Sequence, residues 1–198
     1  TRTVFFYKAA ECGPLKTADR QLNTAAASVI MKTMYGARMA RADLSKCVGQ
    51  LAQYLATWYS GNDKRFARLI GYIKFSLKQR MIGIVGDEPK DLKLAIYTDA
   101  DFAGDRADCK STSGCYLVLA GRRAFYPISC LSRKRTGVSF SSTEAEHVSA
   151  CHGVKDEGIP ALGLWETILQ RPVELILYED NQATANIIRS GKSRSSDT

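Results

Sequence analysis

Three acidic residues are placed where they could do metal chemistry. Asp99 closes the run Ala95-Ile96-Tyr97-Thr98-Asp99, and Asp180 closes Leu175-Ile176-Leu177-Tyr178-Glu179-Asp180. Glu146 falls in the first turns of a helical stretch that opens at Ser142. Carboxylates are the ligands that hard Mg²⁺ prefers. Brought together they repel one another, and the cluster costs stability unless a cation lies between them. Two such ions about 4 Å apart activate a water and stabilise a leaving oxygen in phosphodiester hydrolysis. Three dispersed acids are ordinarily surface charge, so the reading depends on the elements that carry them.

Those elements alternate in type. Leu92–Thr98, Cys115–Ala120, Ala124–Ser129 and Val173–Tyr178 read as strands, the middle two joined through Gly121-Arg122-Arg123 as a hairpin. Ser142 to Leu169 reads as helix, broken near Gly158-Ile159-Pro160, and Gln182–Arg189 as a short helix closed by Gly191. This order predicts an α/β fold with a mixed sheet. If the first and fourth strands are parallel neighbours, Asp99 and Asp180 emerge at one edge, where open α/β sheets bind their ligands.

The chain before this has a different texture. Residues 1–25 are poorly periodic and read as an irregular lead-in. Residues 26–59 read as helix, with Leu44, Cys47, Val48, Leu51, Leu55 and Trp58 at the helical period. A second helix is expected from Lys64 to Lys78, with Asp63 as its N-cap. Gly86-Asp87-Glu88-Pro89 marks a boundary, giving a helical segment over 26–88 and an α/β domain over 89–198. Charge is divided the same way. Residues 1–91 hold 15 Lys/Arg against 7 Asp/Glu, so the whole net charge of +8 lies there. Lys64, Arg65, Arg68, Lys74 and Lys78 share one side of the second helix, and Arg133, Lys134 and Arg135 form a second basic group. Either is a solvated face or a seat for phosphates, and the charge points to a polyanionic partner such as nucleic acid.

Other chemistry finds less support. The six cysteines are dispersed with no CxxC pair, which predicts free thiols instead of a zinc site. His147 and His152 lack a partner at metal-ligand spacing. Asp101 and Asp105 read as loop acids, and Ser142 and Thr143 as caps. No stretch approaches the ~18 apolar residues of a membrane span. A chain starting at Thr1 with no signal pattern is expected to be a piece of a longer product.

Four strings, in order, carry a resemblance: Tyr97 to Asp105, Asp108 to Gly114, Ser141 to His147, and Glu179 to Ala183. Together they closely resemble the ribonuclease H domain of copia-type (pseudovirus) retrotransposon polyproteins, over about Leu92 to Arg189. Met34-Tyr35-Gly36-Ala37-Arg38 more loosely resembles the segment joining reverse transcriptase to that domain. The resemblance implies a ribonuclease H-like fold and an endonuclease that cuts the RNA strand of RNA–DNA hybrids. It implies Asp99, Glu146 and Asp180 as catalytic metal ligands for two Mg²⁺ ions, with Mn²⁺ as a substitute. Glu144 and Glu146 lie roughly 200° apart around a helix, so only one can face the site, and the resemblance prefers Glu146: Ala145-Glu146-His147 fits the wider superfamily's Ala-Glu followed by an apolar or aromatic residue better than Thr143-Glu144-Ala145. The implied partners are the hybrid and the polymerase part of the same polyprotein, in cytoplasmic particles with later nuclear entry. No membrane, secretion or small-molecule substrate is expected.

The sequence also departs from that pattern. Phe102 stands where the family has Trp, and His147 where it has Tyr. Nothing near Asp197 matches the family's further acidic residue. The reading therefore expects three protein carboxylates, a sheet without its last strand, and no polymerase activity. A nucleic-acid-binding remnant with an impaired site, or a structural connector in a polyprotein, are the alternatives.

Overall fold

The computed structural model describes residues 23–104 and 108–191. It begins with three helices, α1 (Asn23–Met39), α2 (Ser45–Gln53) and α3 (Ser60–Phe75). Strands β1 (Ile84–Val85), β2 (Lys93–Asp101), β3 (Thr112–Ala120) and β4 (Ala124–Lys134) follow. The chain then runs through α4 (Ser142–His152), a π-helical segment (Gly153–Gly158), α5 (Ile159–Leu169), β5 (Leu175–Tyr178) and α6 (Gln182–Ser190).

The strands form one mixed sheet in the order β1-β4-β3-β2-β5. All neighbours are antiparallel except β2 and β5, which are parallel with Tyr97 opposite Tyr178. This is the mixed sheet with flanking helices expected of a ribonuclease H-like fold. Among the described residues β5 forms one outer edge of the sheet. The strand that the sequence did not reveal is β1. It has only two exposed residues, too short for any alternation to show.

Leu94 and Ile96 of β2 and Leu117 and Leu119 of β3 are fully buried, on the face that α4 and α5 cover. Close approach is set by small residues. A Cβ on Gly153 would lie 2.7 Å from Thr98 Cγ2, and one on Gly158 3.0 Å from Leu175 Cδ2. A second apolar cluster, around Ile30, Val48, Leu51, Trp58 and Leu69, joins the first three helices.

Several expected boundaries shift. The helix over 26–59 is two helices. The chain breaks at Arg41, whose guanidinium pairs with Asp43 at 2.8 Å and donates to the Ser76 carbonyl at 3.1 Å. Those contacts tie the α1–α2 corner to the end of α3, a tertiary demand that no local period reports. The helix starts at Asn23, within the stretch read as irregular; residues 1–22 lie outside the described residues. The next helix spans Ser60–Phe75, so Lys78 falls beyond it. Asp63 does not cap it but accepts a hydrogen bond from Trp58 Nε1 at 2.8 Å. β4 runs past Ser129 to Lys134 because a register shift beside Pro127, which has no N–H to donate, lets pairing resume. No gap opens at Pro160, because the wide π turn before it absorbs the lost hydrogen bond. Gly191, at φ 64°, closes α6 as expected.

Replacing Gly153 with Ala should destabilise the protein by about 1–3 kcal/mol, because the added methyl must displace the Thr98 side chain. Urea unfolding checks this, and an unchanged midpoint would contradict the close seating of the π-helical segment.

Candidate metal centre

The parallel pairing of β2 with β5 places two of the acids. Tyr97 and Tyr178 are register partners, and their rings stack at 4.8 Å and 12°. Two residues further along each chain come Asp99 and Asp180, side by side at one end of the sheet. β5 ends at Tyr178, and Asn181 then caps α6, its Oδ1 accepting from Thr184 N at 3.0 Å. Asp180 is thus fixed between a strand end and a helix cap.

Glu146 arrives from α4. Ser149 Oγ donates to the Asp99 carbonyl at 2.7 Å and contacts the Gly114 carbonyl at 3.3 Å, pinning the helix across β2 and β3. Ala145 and Ala150 are buried beside it and permit that approach. Thr184 Oγ1 donates to the Thr143 carbonyl at 3.2 Å, joining α6 to the same helix start. With these constraints, one carboxylate oxygen each of Asp99, Glu146 and Asp180 lie within 4.8 Å of one another. It is the one such group of His, Cys, Asp and Glu among the described residues.

The choice between Glu144 and Glu146 follows from the helix start. Ser141 caps α4, its Oγ accepting from Glu144 N at 3.1 Å, while Glu144 Oε2 accepts from Phe140 N at 2.8 Å. Glu144 is thereby engaged at the helix end and exposed, whereas Glu146 is 8% exposed. The expected caps Ser142 and Thr143 are corrected to Ser141, one residue earlier, because the helix begins at Ser142 itself.

Glu146 carries the electrostatic signature of the site. Its Oε2 is buried without a hydrogen-bond partner. Its carboxyl is pushed up to about 7, first by burial, then by the charges of Glu179, Asp99 and Asp180; the Ala100 backbone N–H opposes the shift. Glu179 is a participant that the sequence did not single out. It accepts from Thr98 Oγ1 at 3.1 Å and from Asn181 N at 3.1 Å. Adjacent to Asp180, it offered no separate signal.

The three acids and the orphaned oxygen suit a hard divalent cation, which would supply the missing partner and offset the mutual repulsion. The other candidates stand apart. Asp101 pairs with Lys46 at 2.9 Å. Asp105 and Asp197 lie outside the described residues. His147 faces Cys151 Sγ at 3.7 Å, and His152 faces Asp156 at 3.3 Å. Cys47, Cys109, Cys115, Cys130 and Cys151 are free thiols; Cys12 lies outside the described residues.

The two basic groups part ways. Lys64, Arg65, Arg68 and Lys74 lie on α3, which packs on α2, and the Arg65 guanidinium sits 5.7 Å over the Tyr54 ring. Arg133, Lys134 and Arg135 lie at the end of β4, beside the sheet end that carries Asp99. Lys134 pairs with Asp108 at 3.0 Å, and Arg135 donates to Ser139 Oγ at 2.6 Å.

The chain is similar to parts of transposon proteins. It is 38% identical over 141 residues, 71% of its length, to the retrovirus-related Pol polyprotein from transposon RE2 of Arabidopsis thaliana. It is 36% identical over 112 residues, 57% of its length, to that from transposon RE1 of the same plant. The matched stretch is 9% and 7% of those polyproteins, so the chain spans a small part of each. Secreted RxLR effector protein 161 of Plasmopara viticola is 28% identical over 144 residues, covering 73% of this chain and 92% of that protein. No protein-family model and no solved structure matches the chain. No helix among the described residues is long and apolar enough to cross a membrane.

Because its folded value lies above the ordinary 4.5, the ionised Glu146 disfavours the fold. In the metal-free protein this penalty is absent below pH 4.5, grows as pH rises, and is complete above about 7. Glu146→Gln removes it, so the variant should gain up to about 3 kcal/mol at about pH 8 and little at about pH 4. Unfolding in EDTA at the two pH values checks this; an equal effect at both would contradict the buried, crowded setting of Glu146.

Proposed function

We propose that the chain is the ribonuclease H part of a retrotransposon polyprotein, a metal-dependent endonuclease for the RNA strand of RNA–DNA hybrids. The observation that supports it is the convergence of Asp99, Glu146 and Asp180 from two strand ends and a helix. The similarity to transposon Pol polyproteins supplies the setting. The partners are then the hybrid and the polymerase part of the same product, in a cytoplasmic particle with later nuclear entry.

Asp99, Glu146 and Asp180 would hold two Mg²⁺, or Mn²⁺ in their place. When bound, such ions activate water and stabilise the leaving oxygen of the scissile phosphodiester. The protein's own task is placement. Ser149 fixes α4, the β2–β5 pairing fixes the two aspartates, and Glu179 holds the end of β2 to β5 through Thr98. Glu146, pushed up to about 7 mainly by burial, would have to give up its proton to serve as a ligand, so a cation held here would compete with that proton. Basic side chains beside the site, with those of α3, meet phosphates without reading bases. Preference for a hybrid comes from shape and 2′-hydroxyl contacts.

Purified protein with Mg²⁺ should cut the RNA strand of a labelled hybrid and leave double-stranded DNA intact. Asp99→Asn should abolish cutting and spare binding. Binding without any cutting by the unaltered chain would favour the reading as a nucleic-acid-binding remnant and reject the nuclease.

A further inference from the structure

We propose that the free edge of β1 pairs with the β1 edge of a second copy of this chain, joining the two sheets antiparallel about a two-fold axis. The proposal stands apart from the nuclease reading, since β4 and β3 separate β1 from the strand that carries Asp99.

β1 is the outer strand of the sheet and pairs with β4 on one side. An unpaired edge presents a row of N–H and C=O groups, which proteins usually blunt with charge or proline. The centre of this edge is apolar instead. Ile82, Ile84 and Val85 are 72%, 62% and 52% exposed, and Phe125 and Tyr126 of β4 are 47% and 45% exposed beside them. A contiguous apolar strip of this kind marks an interaction surface. The chain ahead of β1 follows β4 too. Tyr116 Oη donates to Met81 Sδ at 3.8 Å, and Gly83 lies so close to the Tyr126 ring that a Cβ would meet its Cδ2 at 2.2 Å.

The backbone sets the register and identifies the partner. Gly86 N–H donates to the Arg123 carbonyl at 3.1 Å, and Ile84 is opposite Phe125. Polar groups of alternate strand residues point to opposite sides, so Ile84 and Gly86 serve β4 while Gly83 and Val85 present theirs outward. An antiparallel partner must match outward residues to outward residues. Gly83 of one copy then exchanges hydrogen bonds with Val85 of the other, and Ile84 meets its own counterpart on the axis. The same register sets Arg80 of each copy opposite Glu88 of the other. Neighbouring registers lose this match: with Val85 on the axis Ile82 meets Glu88, and with Gly83 on the axis Arg80 meets Gly86. The edge is therefore complementary to itself, a base before the apolar run and an acid after it, as an isologous contact requires. Glu88 is held within its own chain only by Lys90 at 3.0 Å, a pair more than 70% exposed at both ends and cheap to exchange.

Sedimentation equilibrium of the full chain in EDTA, over a range of concentrations, tests this. A monomer–dimer equilibrium is expected. Ile84→Arg and, separately, Val85→Pro should each raise its Kd at least about tenfold; the proline removes an outward N–H and leaves the β4 pairing intact, which circular dichroism checks. Arg80→Glu and Glu88→Arg should each weaken association about tenfold, and an equimolar mixture of the two should restore it, because opposite charges then face each other across the seam. A chain that stays monomeric throughout, even one that binds the polymerase part through this edge, overturns the second copy as occupant. Association that survives Ile84→Arg and Val85→Pro overturns the edge, and a mixture no tighter than its components overturns the register.

Discussion

Mutual repulsion among carboxylates is the constraint around which this protein is arranged. Asp99, Glu146 and Asp180 bring their oxygens within 4.8 Å, with Glu179 close behind, and nothing cationic among the described residues is paired to any of the three. An unaided chain would relieve that repulsion by turning a side chain outward. Here the backbone keeps the three positions together. The parallel β2–β5 register sets the two aspartates together, and the Ser149 hydroxyl pins α4 to the Asp99 carbonyl. The strain emerges as a raised pKa and an unpartnered oxygen on the one member that is buried. Clustered charge held against its own repulsion is the electrostatic mark of a functional site more than of a structural one.

Position along the sheet extends the account to the neighbouring charges. The same sheet end carries acids on β2 and after β5, and bases at the end of β4. Two acids beside the central group have basic partners: Asp101 has Lys46, and Asp108 has Lys110 and Lys134. The three that converge form no ion pair among the described residues, and Glu179 behind them is held by Thr98 and Asn181. A polyanion crossing this edge would therefore meet repulsive oxygens where a divalent cation can intervene, and basic side chains beside them.

Much of this was legible in the sequence, for definite reasons. Asp99 and Asp180 each close an apolar run, and one parallel pairing makes them neighbours. Helical rotation said that only one of Glu144 and Glu146 could face the site and the resemblance chose Glu146; the fold separates them as a buried ligand candidate and a helix-end acceptor. What remained hidden depended on distant contacts. The break at Arg41 answers to Ser76, thirty-five residues away. β1 is too short to have a pattern, and β4 continues past Pro127 through a register shift. Glu179 was masked by the more conspicuous Asp180. The basic stripe of α3 and the basic run at β4 looked alike as text; only the fold sets one of them beside the carboxylates.

Titration of the protein with Mn²⁺, followed by the loss of the free-ion electron paramagnetic resonance signal, tests the convergence most directly. Binding should be displaced by Mg²⁺ and weaken at least about tenfold in each of Asp99→Asn, Glu146→Gln and Asp180→Asn, as removal of one ligand from a shared site requires. Equal Mn²⁺ binding by the unaltered chain and all three variants would contradict it.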